Sequence, residues 1–343
     1  MKHSVLTFVF FILCAATAHA QLFLPIDDDP FGVPVRFNSD SIRYHRIRSI
    51  TSNIRYKPDN QIIQDKGLKE YYQFDSIGRI EFYWRTRVKG QTNTVYETPP
   101  VYRKGRMVYK GKTEIRSTYT YDTLFVYYYY DKNNRLNIRR MCEGEFYNTW
   151  YYEYNEDGFV TRQIHTRETN SGLSHRSFRM GIQTVVSVEE FRYMRLSDDM
   201  IKQYSLNDEG RSYKETIMKF DKKKRPLEYR EEYAAGGIRV VTSWSYDTLG
   251  RTATISYSSN AGNPVVEVSK YNYDSLGRIE SLKRYKNDVL YHEFSYLYEA
   301  NAPVAYAYIN RRHVEMAIDI VKMEIVRFGE PVVPQKKGTR PKP

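Results

Sequence analysis

Few residues in this 343-residue chain have the type and spacing that chemistry needs. His165 and His175 flank an Asn170-Ser-Gly turn with Glu168 beside them, a set able to ligate a metal. Their spacing matches no metal-site pattern, so they read as ordinary surface groups. The paired carboxylates Glu189/Glu190 and Asp198/Asp199 suggest acid and base, as in glycoside hydrolysis. Adjacent residues on a strand point to opposite faces, however, so neither pair serves one substrate. Cys142 has no sequence-near histidine or helix start to activate it and reads as a half-buried neutral thiol. No zinc-protease helix motif, phosphate-binding glycine loop, dinucleotide fingerprint or serine nucleophile elbow is present. The chain reads as non-enzymatic, without catalytic residue, metal or cofactor. Recognition chemistry remains: Trp84, Trp150 and Trp244, among 33 tyrosines, are candidate platforms for a glycan.

One other set recurs at fixed spacing, an acid or amide, a glycine and an arginine. It is clearest in Tyr271-Asn-Tyr-Asp-Ser-Leu-Gly-Arg-Ile279, Tyr72-Gln-Phe-Asp-Ser-Ile-Gly-Arg-Ile80 and Trp244-Ser-Tyr-Asp-Thr-Leu-Gly-Arg-Thr252. Degraded copies begin at Tyr128, Tyr152, Tyr204 and Met218. Apolar residues at i and i+2 describe a strand with one packed face. The Asp or Asn then bonds backbone N–H groups two residues on and starts a turn, and Gly supplies a positive φ. The expected hairpin corners are Asp75, Gly78 and Arg79; Asp131 and Arg135; Asn155 and Gly158; Asn207, Gly210 and Arg211; Asp221 and Arg225; Asp247, Gly250 and Arg251; and Asp274, Gly277 and Arg278. Asn134 stands in for glycine in the copy that begins at Tyr128.

The acid or amide positions are 56, 24, 52, 14, 26 and 27 residues apart, so two gaps read as doubled periods and one as a half. Turn clusters such as Ala235-Gly-Gly and Lys286-Asn-Asp fall between the copies. The fold class that follows is all-β: an antiparallel meander of repeated hairpins, with a two-strand period of about 26 residues, forming a long twisted or curled sheet. Residues 1–20 read as a secretory signal peptide, 21–40 as an extended lead-in and 41–310 as the repeat sheet. Residues 311–328 form a cap, helix or strand, with a short capping helix favoured, and 329–343 a basic, proline-rich flexible tail. Gly105-Arg106 reads as the remnant of a lost corner, and Gly181 as another. Ring pairs such as Tyr128/Tyr130 and Tyr271/Tyr273 fall on equivalent positions and pin the register.

The block Tyr-x-Tyr-Asp-x-x-Gly-Arg-Ile/Leu resembles the YD repeat of the RHS (rearrangement hot spot) family over residues 70–290. The resemblance implies repeats wound into a long antiparallel ribbon. Large bacterial members form a hollow shell around a toxin, and related repeats occur in wall-associated and cell-surface proteins. This chain departs in scale: about 12 to 18 strands are too few for a closed cocoon, and no effector domain follows. The resemblance therefore implies a short, secreted, repeat-only scaffold, with an accessory of an RHS-type toxin system as an alternative.

The formal net charge is +12. Lys and Arg alternate through the strands, which describes a solvated sheet face and argues against nucleic acid as the partner. The expected partner is a protein or an envelope glycan bound through the sheet face, or a glycan bound or processed on Tyr and Trp platforms. No transmembrane span is expected after signal cleavage, so the product is exported: periplasmic, outer-surface associated or secreted.

Overall fold

Each corner motif folds as its residue types dictate. The computed structural model describes residues 37–143, 146–169, 182–299 and 304–330. At Asp75, one carboxylate oxygen accepts from the backbone N–H of Ile77 at 3.0 Å and of Arg79 at 2.9 Å. Gly78 completes the turn at φ 90°. Where glycine is missing, Asn134 and Lys224 take the positive φ, at 65° and 62°. The signal-peptide assignment lies outside the described residues, as do Gly181 and the tail beyond residue 330.

Among the described residues one helix, α1 (Ser39–Tyr44), precedes twenty strands. They are β1 (Ile47–Pro58), β2 (Gln64–Phe74), β3 (Ile80–Thr98), β4 (Val101–Arg103), β5 (Arg106–Tyr109), β6 (Lys112–Tyr130), β7 (Leu136–Glu143), β8 (Phe146–Tyr154), β9 (Val160–Thr169) and β10 (Gln183–Ser197). The second half comprises β11 (Met200–Leu206), β12 (Ser212–Phe220), β13 (Pro226–Tyr233), β14 (Arg239–Tyr246), β15 (Thr252–Ser259), β16 (Val265–Tyr273), β17 (Ile279–Lys286), β18 (Val289–Tyr298), β19 (Ala305–Arg312) and β20 (Ala317–Arg327). All but β4 and β5 pair in sequence order as one 18-stranded antiparallel sheet, and β20 pairs back onto β1 from Ile47↔Arg327 to Pro58↔Ala317.

The sheet is thus a closed barrel, not the open curled ribbon expected. Closure satisfies both edge strands at once, and an even number of up-and-down strands brings first and last together antiparallel. The same contact corrects the favoured capping helix: residues 317–327 are the closing strand β20, whose backbone groups pair with both β19 and β1.

Strands alternate in direction, so successive turns alternate between two rims. The corners at Asp75, Asp131, Asn155, Asp221, Asp247 and Asp274 share one rim, here the corner rim; Asn207, one strand before Asp221, lies on the far rim. The half-period gap is real. The two long gaps are not doubled periods: the first holds one pair of 19-residue strands, β3 and β6, with the small β4–β5 hairpin between them. The second holds, among the described residues, three strands, β9 to β11. Gly105 accordingly turns the β4–β5 hairpin at the far end and is no remnant of a corner.

Residues opposite one another across a ladder share a face. Ile50, Tyr72, Tyr83, Val126 and Met141 follow one another across β1, β2, β3, β6 and β7, and all belong to or pack on the buried core. That parity faces the barrel interior. Phe37 adds an edge-on ring against Tyr72 at 4.9 Å and Phe74 at 5.1 Å. Behind it Asn38 caps α1, accepting from the N–H groups of Asp40 and Ser41. The end of the expected lead-in and the start of the expected repeat sheet are therefore a helix, seated on the corner rim by the fully buried Ile42.

Candidate functional site

The sequence-predicted corner residues form a repeated lock. At Asp247 the second carboxylate oxygen accepts from Arg251 Nε at 2.7 Å, and the guanidinium lies 4.3 Å over the ring of Tyr273 in the next unit. Tyr273 donates its hydroxyl proton to the carbonyl of Thr252 at 2.8 Å. The same three contacts recur as Asp75–Arg79–Tyr130, Asp131–Arg135–Tyr154, Asp221–Arg225–Tyr246 and Asp274–Arg278–Tyr298. At Asn155 and Gly158 the arginine is replaced by Phe159, which stacks on Tyr193 at 4.7 Å, and that tyrosine still donates to Val160. Asn207 and Gly210 keep only the turn, since Arg211 pairs with Glu209 instead. Wherever the lock is intact, these residues tie one hairpin to the next and are committed to one another.

Charge follows the lock. At Asp131 the Arg135 backbone N–H is the largest influence, and the carboxyl is held below its ordinary range. At Asp221 and Asp247 burial works against ionisation but is outweighed by the N–H and guanidinium of the arginine four residues on, so these too are lowered. Inside the barrel burial dominates. It raises Glu70 even though Tyr72 donates to it at 3.0 Å, and it raises Tyr72 and Tyr308 well above the ordinary phenol range.

The three tryptophans do not form one platform. Trp244 is buried in the core edge-on to Tyr229, and Trp150 faces inward, stacked on His165 at 4.6 Å with Arg139 over its other side. His165 is therefore not a surface histidine; its ring bonds Asn148 at 3.1 Å, and burial, then Arg167 and Arg139, lower its pKa. Glu168 has the opposite parity and is buried against Arg140, while His175 lies outside the described residues. Cys142 is fully rather than half buried. Among the described residues no three His, Cys, Asp or Glu side chains could hold a metal ion.

Trp84 alone faces outward, and the structure surrounds it with rings that sequence reasoning missed. Tyr71 on β2 stacks on Trp84 at 6.0 Å and 18°; Phe82 on β3 meets Phe125 at 6.2 Å and Tyr127 at 4.8 Å, both on β6. The register sets Tyr71 opposite Trp84, Trp84 opposite Phe125 and Phe82 opposite Tyr127, so five half-buried rings share one outward surface on three adjacent strands. Their signal in the sequence was doubled parity: Tyr71-Tyr72 and Phe82-Tyr83-Trp84 carry rings on both faces, where a singly packed strand alternates. Gln73, Thr86 and Thr123 share that outward parity beside the rings, while Arg140, of the same parity, is committed to Glu168. On the inner wall a cavity of about 290 Å³ is lined by Tyr257, Glu267, Arg284 and Tyr291, but Glu267 already pairs with Lys286 and accepts from Tyr291.

Fold and surface together define a closed antiparallel β-barrel with an aromatic face on its outer wall. No protein-family model matches the chain, and no curated protein matches it. Among solved structures, a porin-like protein from Bacteroides uniformis is similar at 9% identity, covering 82% of this chain and 98% of that one, with a TM-score of 0.34. A porin-like protein from Bacteroides vulgatus is similar at 8% identity over 58% of this chain and 93% of that one, TM-score 0.24. The Tc holotoxin pore of Photorhabdus luminescens is similar at 11% identity over 72% of this chain and 14% of that one, TM-score 0.22. Overlaps this loose carry no argument about function.

Proposed function

We propose that the protein is a non-enzymatic, exported barrel scaffold that binds a glycan on the outward aromatic patch around Trp84. The single observation that carries this reading is the five-ring surface of Tyr71, Phe82, Trp84, Phe125 and Tyr127, set in a wall whose other outward positions are largely polar. Rings with polar neighbours suit sugars, whose C–H faces stack while their hydroxyls find donors and acceptors. The one-rim repetition of the corner lock supports a distant tie to the YD-repeat family, as a short scaffold without cargo.

Over β11–β13 and β17–β18 the outer wall is one for water. Outward pairs join neighbouring strands, Lys202–Glu215 at 2.8 Å, Lys219–Glu228 at 3.0 Å and Lys283–Glu293 at 3.3 Å. A lipid-facing Lys at the midplane costs about 2–4 kcal/mol, so a barrel carrying several does not span a bilayer.

Tryptophan fluorescence titrated with neutral and acidic polysaccharides tests the proposal, because Trp150 and Trp244 are inside and Trp84 is the reporter. The expected result is a saturable change lost in Trp84→Phe. A flat response to every glycan, or a response unchanged in that variant, removes the reading.

A further inference from the structure

The positive charge is not scattered evenly. Residues 89–120 hold seven Lys or Arg against two acids, and from Thr98 to Thr113 five bases occur with no acid. These residues form an arm. From Gly90 and Thr120 outward β3 and β6 pair with each other and with no other strand, a reach of about 30 Å at the usual rise per residue. The β4–β5 hairpin caps it, turned by Lys104 and Gly105, both at positive φ.

The tip gathers five exposed apolar side chains within nine residues. Val101, Tyr102, Met107, Val108 and Tyr109 are 41–58% exposed. Val101 and Tyr109 lie opposite one another on one face, and Tyr102 and Met107 on the other, so the tip is a two-sided wedge. Among the described residues no acid pairs with Arg103, Lys104, Arg106 or Lys110; the arm's ion pairs are those of Lys112 and Arg116 with Glu114, below the tip.

We propose that this tip docks the barrel onto an anionic lipid bilayer, entering it to headgroup depth. A wedge apolar on both sides suits a medium that yields around it, whereas a rigid nucleic acid or protein surface would meet only one face. Tyrosines favour the headgroup boundary, and Lys and Arg stems lie along apolar surface while their charges reach phosphate. The unpaired edges of a two-stranded hairpin hold it at that depth, because bare backbone groups are not tolerated in hydrocarbon. The inference rests on the arm alone and stands or falls apart from the glycan reading.

The test is co-sedimentation of the intact protein with phosphatidylcholine vesicles, with and without phosphatidylglycerol. Two tip variants accompany it, Arg103→Gln/Lys104→Gln/Arg106→Gln and Tyr102→Ser/Met107→Ser/Val108→Ser, with melting temperatures checked against wild type. Binding is expected only to the anionic vesicles, weakening with salt, and about tenfold or more weaker in each variant. A Tyr102→Trp reporter is expected to shift its emission to the blue on those vesicles. The proposal is overturned by no sedimentation, by equal binding to neutral vesicles, or by binding unchanged in both variants. It is also overturned if the tip variants lose affinity for duplex DNA or polyglutamate while vesicle binding is absent.

Discussion

At the scale of single residues, the corner lock makes stability depend on pH at both ends. Asp131, Asp221 and Asp247 titrate below the ordinary carboxylate value in the folded chain. The unfolded chain therefore binds their protons more readily, and the stability they confer is present above about pH 4 and is lost as pH falls through the depressed values. Replacing all three by Asn keeps the turn, as Asn155 and Asn207 do naturally, but removes the charge. Urea unfolding from neutral pH downward should show a flatter acid limb in that triple variant; equal slopes would contradict the lock. At the alkaline end, burial pushes Tyr193, Tyr233 and Tyr273 up to about 12. Because the folded state keeps these protons after the unfolded chain has lost them, stability declines above about pH 10. Absorbance at 295 nm should therefore show part of the phenolate signal appearing only in a cooperative step with unfolding. A single smooth titration near 10 would mean the phenols are not buried.

At the scale of elements, the corners separate conformational strain from packing. Gly78 and Gly158 both sit at positive φ, 90° and 86°, but a Cβ on Gly78 would lie 2.1 Å from the Ser39 carbonyl oxygen at the start of α1, while one on Gly158 meets nothing within 4 Å. Gly158→Ala should cost about 1–2 kcal/mol from the left-handed backbone alone. Gly78→Ala should cost clearly more, because α1 must move; equal melting temperatures would show that α1 does not rest on that corner. The corners were legible because their chemistry is local: an acid bonds an N–H two residues on wherever the chain lies. The partner of each arginine was not, since Tyr273 sits 22 residues from Arg251 and is brought there only by the strand register. The closing strand was misread for a related reason. Val314, Ala317, Ile318, Val321 and Ile325 fit a helical stripe, and what decides for a strand is the bonding offered by β1, some 270 residues earlier.

At the scale of the whole molecule, closure is the property that the repeat could not announce. A repeating hairpin states its period but not the curvature that accumulates between units, and that curvature decides whether β20 meets β1. The outward patch was hidden likewise, since its rings come from three strands and only Trp84 among them drew notice. Its energetic share is testable: Tyr71→Ala and Phe82→Ala should leave the melting temperature nearly unchanged relative to a core change such as Tyr83→Ala, as befits a surface kept for binding. The most direct measurement of the central claim joins the two ends of the sheet by cysteine pairs in a Cys142→Ser background. Thr51 faces Glu324 and Ser52 faces Met323 across β1 and β20, and one of these adjacent pairs is the closer, non-hydrogen-bonded kind. A closed barrel should oxidise at least one pair, Thr51→Cys/Glu324→Cys or Ser52→Cys/Met323→Cys, to an intramolecular disulfide in the native protein, visible as faster migration without reductant. An open ribbon would hold those positions on opposite edges, and no crosslink in either pair would contradict the barrel.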